Sequence, residues 1–415
     1  MKLYITILIA MILSCTWSYS QTLDDYFKIA GESNPGLQAK YKEFEAAMER
    51  VEQVNTLPDP NFSFGYFISP VETRVGPQRA RFSLTQMFPW FGTLKAQGDA
   101  AGLMAKAKYQ SFLDARNRLY YQVAAAYYPL YELKHWKAIE QRNIEILKSY
   151  KTIANKKFEN STGTMVDVLR VDIMLKDATT NLNILNEKEK PLVTWFNQLL
   201  NREENDLVLV QDTLFAQSLP DNFRKDSLLL SNPALEELDL KIAFSEASEE
   251  VAHRQGLPKF GVGLDYVMIG ERTDLTYDMA APKNNGKNAL MPMVSVSIPI
   301  FRRKYKAAVK EAQVIQDGYT LQKEDYVNSL TSNYEMTWFE IQQQQELLTL
   351  YDQQIQESNQ ALNLLFNAYG NSGREFEEVL RMQQQLLKYE KMKATAEIQY
   401  QIALAKLNYL TAKAY

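Results

Sequence analysis

The sequence repeats itself, and the two copies lie about 200 residues apart. Four short segments recur in the same order: Asn34–Leu37 with Asn232–Leu235, Leu57–Phe62 with Leu257–Phe260, Gln86–Phe91 with Val296–Phe301, and Phe158–Ser161 with Tyr369–Ser372. A repeat of this length indicates one structural unit duplicated in tandem. We assign residues 21–200 to the first repeat, 201–231 to an inter-repeat linker expected to form an equatorial belt, and 232–415 to the second repeat.

The N-terminus has the pattern of an export signal. Lys2 is followed by the apolar run Leu3–Leu13, which is too short to cross a bilayer as a helix. Small residues up to Ser20 predict cleavage there, so that residues 1–20 form a signal peptide. Alternatively, the segment is a lipoprotein signal and Cys15 carries the lipid. Both interpretations take the protein out of the cytoplasm.

Composition argues against several classes of protein. The chain carries 46 basic and 50 acidic residues, so it has no basic field for nucleic acid. Cys15 is the only cysteine, which leaves no intrachain disulfide. His135 and His253 are each a lone histidine and are predicted to be structural, so neither a metal site nor a cofactor is expected. The sequence shows no nucleophile elbow or phosphate-binding glycine loop, which argues against an enzyme.

Each repeat opens with a predicted helix, about Leu37–Asn55 in the first and about Leu235–Arg254 in the second. Pro35 suits the first helical position, and Asn34 suits the capping position before it. The same Asn-Pro pair opens the second helix. Together with the elements below, these helices predict a fold that is mainly α with a small β part.

Each repeat then contains two segments in which apolar and small residues alternate, about 60–68 and 80–88, and about 259–269 and 290–298. Such alternation predicts half-buried strands. One interpretation is a small soluble sheet packed on the helices. The other is a set of membrane strands, which need about nine to eleven residues with one apolar face. Single-chain barrels start at about eight strands, so the second interpretation requires several chains to share one barrel.

A long helix follows each strand pair, about Thr93–Lys157 and about Lys304–Ala368. About 65 residues at 1.5 Å each give a rod of roughly 100 Å, and apolar residues three and four apart predict coiled-coil-like packing. Pro129 is expected to kink the first rod or end it locally. A turn then leads to a returning helix, about Val166–Glu189 and about Glu375–Lys413.

This order of elements, found twice, resembles the TolC-type outer-membrane efflux proteins. The resemblance covers essentially the whole chain after the signal. It rests on the two Asn-Pro starts, the strand exits Gln86–Phe91 and Val296–Phe301, and the turns that lead to Asp167–Leu169 and Glu378–Leu380. It implies a homotrimer whose twelve-stranded β-barrel contacts outer-membrane lipid in a Gram-negative bacterium, continuous with a twelve-helix periplasmic α-barrel. It also implies two protein partners, a periplasmic adaptor and an inner-membrane RND-type pump.

The resemblance implies a passive exit channel of a tripartite efflux system. Phe88–Lys95 most resembles the heavy-metal efflux branch, which predicts metal cations as cargo. Multidrug efflux and type I protein secretion use the same fold and stay open as alternatives. A secreted coiled-coil structural protein is another alternative, although it leaves the strand pairs without a role. The fourteen methionines are attributed to core filling rather than to copper handling.

The two helical turns are the expected entrance, because helices can shift there without breaking a barrel. Charged residues near the turns are the entrance candidates: Asp167, Asp172, Arg374, Glu375, Glu377 and Glu378. They would form constricting charge pairs or a cation-attracting ring; alternatively, they are ordinary charges at helix starts. Adaptor docking is assigned to small residues of the turns, although these residues also suit a tight reversal by themselves: Asn160, Ser161, Gly163, Asn371, Ser372 and Gly373.

Overall fold

The structure is a computed structural model that describes residues 22–211, 231–274, 282–371 and 376–412, without the side chain of Asn371. The predicted signal peptide, Cys15 and most of the linker lie outside these ranges. The described part of the first repeat forms α1 Leu23–Ser33, α2 Pro35–Val54, β1 Asn61–Val71, β2 Gln78–Phe88, α3 Thr93–Glu159 and α4 Met165–Leu199. The described part of the second forms α5 Pro233–Gln255, β3 Lys259–Ile269, β4 Ala289–Ser297, α6 Arg303–Asn371 and α7 Phe376–Leu410. The prediction of a mainly helical fold with a small sheet is confirmed.

The chain divides into two compact units, and each takes segments from both repeats. The helical unit consists of Met1–Ala39, Leu113–Pro233 and Val327–Tyr415. The sheet unit consists of Lys40–Phe112 and Ala234–Tyr326. The repeats and the compact units are therefore different divisions of the same chain.

Two prolines lie inside helices that continue past them. Pro129 lies within α3, so the expectation that it ends this helix locally is wrong. Pro191 lies within α4, which runs on to Leu199 and beyond the end predicted near Glu189. The physical reason is packing, which supplies most of the stability of a helix in a folded protein. Tyr127 and Leu130 beside the first proline are 1% and 5% exposed, and Phe196 after the second is fully buried.

The Asn-Pro starts have a structural purpose in both repeats. Asn34 accepts the N–H of Leu37 at 3.0 Å through its side-chain oxygen, which caps α2 as predicted. Its amide nitrogen donates to the carbonyl of Leu199 at 2.9 Å. In the second repeat, the amide of Asn232 donates to the carbonyl of Leu410 at 3.2 Å. Each asparagine therefore ties the start of its repeat to the end of the returning helix of the same repeat.

An aromatic cluster holds the beginning of the linker in the helical unit. The rings of Tyr26 and Phe196 meet edge to face with centroids 4.9 Å apart, and Tyr127 joins them. The hydroxyl of Tyr26 accepts the N–H of Leu209 at 2.9 Å, and that of Tyr127 accepts the N–H of Gln211 at 3.1 Å. Helix α1, which the sequence reading did not predict, carries Tyr26 into this cluster.

The sheet unit contains one antiparallel sheet in the order β1-β2-β3-β4. Phe82 on β2 lies opposite Phe64 on β1 and Tyr266 on β3, so aromatic residues share one face. The next residue, Ser83, lies opposite Asp265 on the other face. The strand pairs of the two repeats thus join into one sheet, because β2 pairs with β3 at ten positions from Gln78 to Phe88.

Candidate functional site

The first turn joins α3 to α4 in the helical unit. Ser161 takes the left-handed conformation with a φ of 59°. A Cβ on Gly163 would lie 2.9 Å from the Cβ of Lys157, so the chain passes too close to the end of α3 for a side chain. The hydroxyl of Thr164 accepts the N–H of Asp167 at 3.2 Å and donates to its carboxylate at 2.8 Å. Asp167 is therefore engaged in the capping box of α4.

A hydrophobic cluster lies beneath the turns and joins the two helical hairpins. Phe376, at the start of α7, is 1% exposed. Its ring stacks on Tyr369 with centroids 4.6 Å apart and meets Tyr150 of α3 at 5.8 Å. Val168 and Val171 of α4 belong to the same cluster. The first turns of both returning helices are consequently packed into one core.

Two polar contacts cross from one hairpin to the other, and we call them the hairpin clasp. The ammonium of Lys157 donates to the backbone carbonyl of Tyr369 at 2.7 Å and lies 3.6 Å from the centroid of its ring. The guanidinium of Arg170 pairs with the carboxylate of Glu377 at 2.8 Å. Burial raises the pKa of the Tyr369 phenol. The clasp is the polar rim of the hydrophobic cluster below it.

Asp172, another entrance candidate, is held within the first hairpin. Its carboxylate lies 2.5 Å from the ammonium of Lys151 on α3 and 2.9 Å from that of Lys176 one turn further along α4. Hydrogen bonds from these lysines lower the pKa of the Asp172 carboxyl below its ordinary value. Asp172 thus stays ionised at neutral pH and links α3 to α4.

The remaining sequence candidates divide by position. Glu378 lies half-buried beside Val379 on α7, and Asn160 and Ser161 are exposed on the first turn. Asn371 ends α6, while the other candidates of the second turn lie outside the described residues: Ser372, Gly373, Arg374 and Glu375. Sequence reasoning missed Lys157, Arg170 and Tyr369. Their contacts join positions about 200 residues apart that are not equivalent in the two repeats, so no local sequence pattern predicts these contacts.

The sheet unit carries a second candidate site, which is the apolar face of its sheet. Exposed side chains of this face include Tyr266 at 40%, Val262 at 57% and Val294 at 79%, together with Phe62, Phe64 and Tyr66. The opposite face of β3 is formed by Gly261, Gly263 and Asp265. A continuous apolar surface of this kind marks a contact with another protein or with lipid.

Within the described ranges, no group of three or more His, Cys, Asp and Glu residues is arranged to hold a metal ion. His135 packs against Tyr131 with ring centroids 4.2 Å apart, and His253 lies 3.6 Å from Glu249. In the same part of the chain, no helix combines the length and the apolar character needed to cross a bilayer.

Comparison with known families recognises the second repeat. Residues 226–413 match the family model described as Outer membrane efflux protein. No curated protein sequence matches the chain.

Solved structures match over most of the chain. The outer-membrane channel OprN gives a TM-score of 0.77 at 17% identity, covering 94% of this chain and 90% of its own. CusC gives a TM-score of 0.77 at 14% identity, covering 94% and 91%. The open-state MtrE outer-membrane channel of Neisseria gonorrhoeae gives 0.74 at 17% identity, covering 94% and 88%. At these identities the likeness shows a shared fold.

The family match thus covers the second repeat, and the shared fold extends over 94% of the chain. The matched family is the one that the sequence resembles, and the match covers residues 226–413. The four-stranded sheet and the shared fold argue against the alternative of a secreted coiled-coil structural protein.

Proposed function

We propose that three copies of this chain form the exit channel of a tripartite efflux system. The observation that carries the proposal is the four-stranded sheet, whose apolar face is exposed. Its edge strands β1 and β4 each have one unpaired side within the described chain. An open sheet with an apolar face and free edges invites further strand pairing. Three copies supply twelve strands, enough for a closed membrane barrel, whereas four strands are too few.

In this proposal the apolar face contacts lipid, and the small-residue face lines the pore. Membrane barrels alternate apolar residues outside with polar or small residues inside, as the two faces of this sheet do. The helical hairpins of the three copies would form the twelve-helix periplasmic tunnel. No catalytic group is required, because the channel is passive.

The experiment is fractionation followed by recording. We expect the protein in the outer-membrane fraction as a trimer that dissociates on heating, and we expect the purified trimer to conduct ions in planar bilayers. A monomer in the soluble periplasmic fraction contradicts the proposal. The trimer does not form a pore if it is found in the membrane but carries no current, both in wild type and in variants that weaken the hairpin contacts.

We further propose that the turns form the periplasmic entrance and that the hairpin clasp helps to keep it closed. The support is the polar contact between Arg170 and Glu377 and the contact of Lys157 with Tyr369, both of which would resist separation of the hairpins. Glu377 is thus proposed to act through its arginine partner. Further members of the entrance set remain proposals on their sequence position: Asp167, Asp172, Arg374, Glu375 and Glu378.

Docking of a periplasmic adaptor, which would connect the channel to an RND-type inner-membrane pump, is proposed at the two turns. Exposure of Asn160 and Ser161 supports the first of these surfaces. Their small side chains permit close approach of a helical tip. Substitution of Ser161 by Arg is expected to reduce co-purification of the adaptor, while Ser149→Arg, on α3 away from the turn, is the control. Equal capture by both variants contradicts docking at this turn.

We propose that the cargo is metal cations. This proposal rests on the resemblance of Phe88–Lys95 to the heavy-metal branch. The test is a deletion strain exposed to metal salts and to drugs. Greater sensitivity to metals supports the proposal. Sensitivity to drugs alone, or loss of a secreted polypeptide, instead assigns the channel to multidrug efflux or type I secretion.

A further inference from the structure

A buried charge lies on the small-residue face of the sheet. Asp265 on β3 is 0% exposed. Its carboxylate accepts the hydroxyl proton of Ser83, the residue opposite it on β2, and pairs with the guanidinium of Arg81. The side chain of Arg81 remains 47% exposed. One end of this pair is therefore fixed inside the sheet, and the other end is presented at its surface.

Glycines on the same face explain why Asp265 is buried. A Cβ on Gly261 would lie 2.6 Å from the sulfur of Met87, and one on Gly263 would lie 2.9 Å from the hydroxyl oxygen of Thr85. Side chains of the neighbouring strands thus close over β3, as they do on the inner side of a curved sheet. Asp265 lies at the floor of this side, and Arg81 lies over it.

The position of Arg81 is defined on two sides. The Asp265 carboxylate holds the guanidinium from below, and the sulfur of Met293 on β4 lies 4.0 Å from its terminal nitrogen. A buried carboxylate is costly unless it is paired, so release of Arg81 is disfavoured. Arginine also stays charged at every pH at which the protein is folded. The result is a fixed positive charge on the inner face of the sheet.

We infer that Arg81 sets the charge preference of the exit pore and that Asp265 is its positioning residue. The inference rests on the proposed trimer, in which this face lines the pore and three guanidinium groups lie at one height. Rings of charged side chains select ions in pores, and residues that face the lumen of a barrel tune selectivity. The ligand class is the small inorganic anion, with chloride as the probe.

Two opposite substitutions give the inference its test. Arg81→Gln removes the positive charge and leaves the carboxylate, so the preference should move toward cations. Asp265→Asn removes the negative charge and leaves the guanidinium, so the ion preference should move toward anions. Coulomb's law in water gives about a twofold change in local ion population for one unit charge roughly 8 Å away, and three copies act together. The double variant Arg81→Gln/Asp265→Asn carries no unpaired buried charge and should lie between the single variants.

The measurement is the reversal potential of purified trimers in planar bilayers under a potassium chloride gradient. Arg81→Lys keeps the charge and should keep the wild-type value. Lys287→Gln, which removes an exposed charge outside the strands, is the matched control and should change the permeability ratio less than Arg81→Gln does. Opposite shifts in the two single variants support the inference. Unchanged ratios, or shifts of the same sign, overturn it.

The same recordings separate this inference from the proposed function. If wild-type trimers carry no current, the channel proposal fails and takes the inference with it. If wild-type trimers conduct and Arg81→Gln trimers conduct with an unchanged ratio, the channel stands and only the role of Arg81 is wrong. Heating of each variant before electrophoresis reports whether its trimer has formed. If one single variant does not assemble, the other single variant and Arg81→Lys decide: an unchanged ratio in the single variant that assembles, or a changed ratio in Arg81→Lys, overturns the inference.

Discussion

Substitution of Lys157 by Met should weaken the hairpin clasp and leave the channel open for more of the time. The ammonium makes a charge-assisted hydrogen bond to the carbonyl of Tyr369 at 2.7 Å and lies 3.6 Å from the centre of its ring. Charge-assisted hydrogen bonds contribute about 1.5–3 kcal/mol, and cation–π contacts about 0.5–2 kcal/mol. Since Lys157 is only partly buried, we take about 2 kcal/mol in total, which corresponds to roughly a 30-fold change in the equilibrium between clasped and released hairpins.

The assay is single-channel recording of purified trimers. The Met side chain preserves much of the length and apolar volume of lysine, so the hydrophobic cluster beneath should persist. Lys157→Arg keeps a donor and a cation and should restore most of the closed population. Lys156→Met, at the exposed neighbouring position, is the control for loss of charge near the helix end. An open fraction in Lys157→Met that equals that of wild type, or that is matched by Lys156→Met, contradicts a role of Lys157 in keeping the channel closed.

Three further outcomes follow from the helical unit. Phe376→Ala should cost about 3–5 kcal/mol of unfolding free energy in urea, whereas Phe158→Ala at a site 46% exposed should cost well under 1 kcal/mol; equal losses contradict the placement of the cluster. The pKa of the Asp172 carboxyl is lower in the folded protein than in the unfolded chain, where it is about 3.9. The ionised carboxylate therefore stabilises the fold above that pH, and this stabilisation is lost as pH falls through the folded pKa. The difference in thermal stability between wild type and Asp172→Asn should therefore vanish in acid, and a difference that grows there is contrary evidence. Asn34→Ala and Asn232→Ala should each lower stability by about 1–2 kcal/mol, and a neutral result in both denies that the asparagines tie the repeats together.

The regular elements were predictable because their signals are local. Alternation of apolar and small residues located β3 at Lys259–Ile269, and the scarcity of glycine and proline located α6 at Arg303–Asn371. The expectation that Pro129 could end the helix locally is wrong, because buried side chains on both sides hold α3 together and outweigh one lost hydrogen bond. Local signals therefore give way where tertiary packing is strong.

The candidate sites were less predictable, because their contacts join distant segments. Asp167 and Asp172 were selected for charge near a turn, but in the structure the first caps a helix and the second pairs within its own hairpin. Nothing near Arg81 in the sequence points to Asp265, which lies 184 positions further along. Only the register of β2 with β3 places the two together.

In the proposed trimer, three chains close one barrel because β1 of one copy pairs with β4 of the next. The most direct test introduces cysteines at Ser63 on β1 and Ser295 on β4, with Cys15 replaced by serine. Within one sheet these strands are separated by β2 and β3, about 14 Å in all, which is too far for a disulfide. Oxidation, or a short bismaleimide, should therefore give covalent dimers and trimers in outer membranes, while each single-cysteine variant should give none beyond a symmetric dimer. The same test is repeated with cysteines at neighbouring positions of both strands. If every pair leaves the inserted protein monomeric, the shared barrel is contradicted.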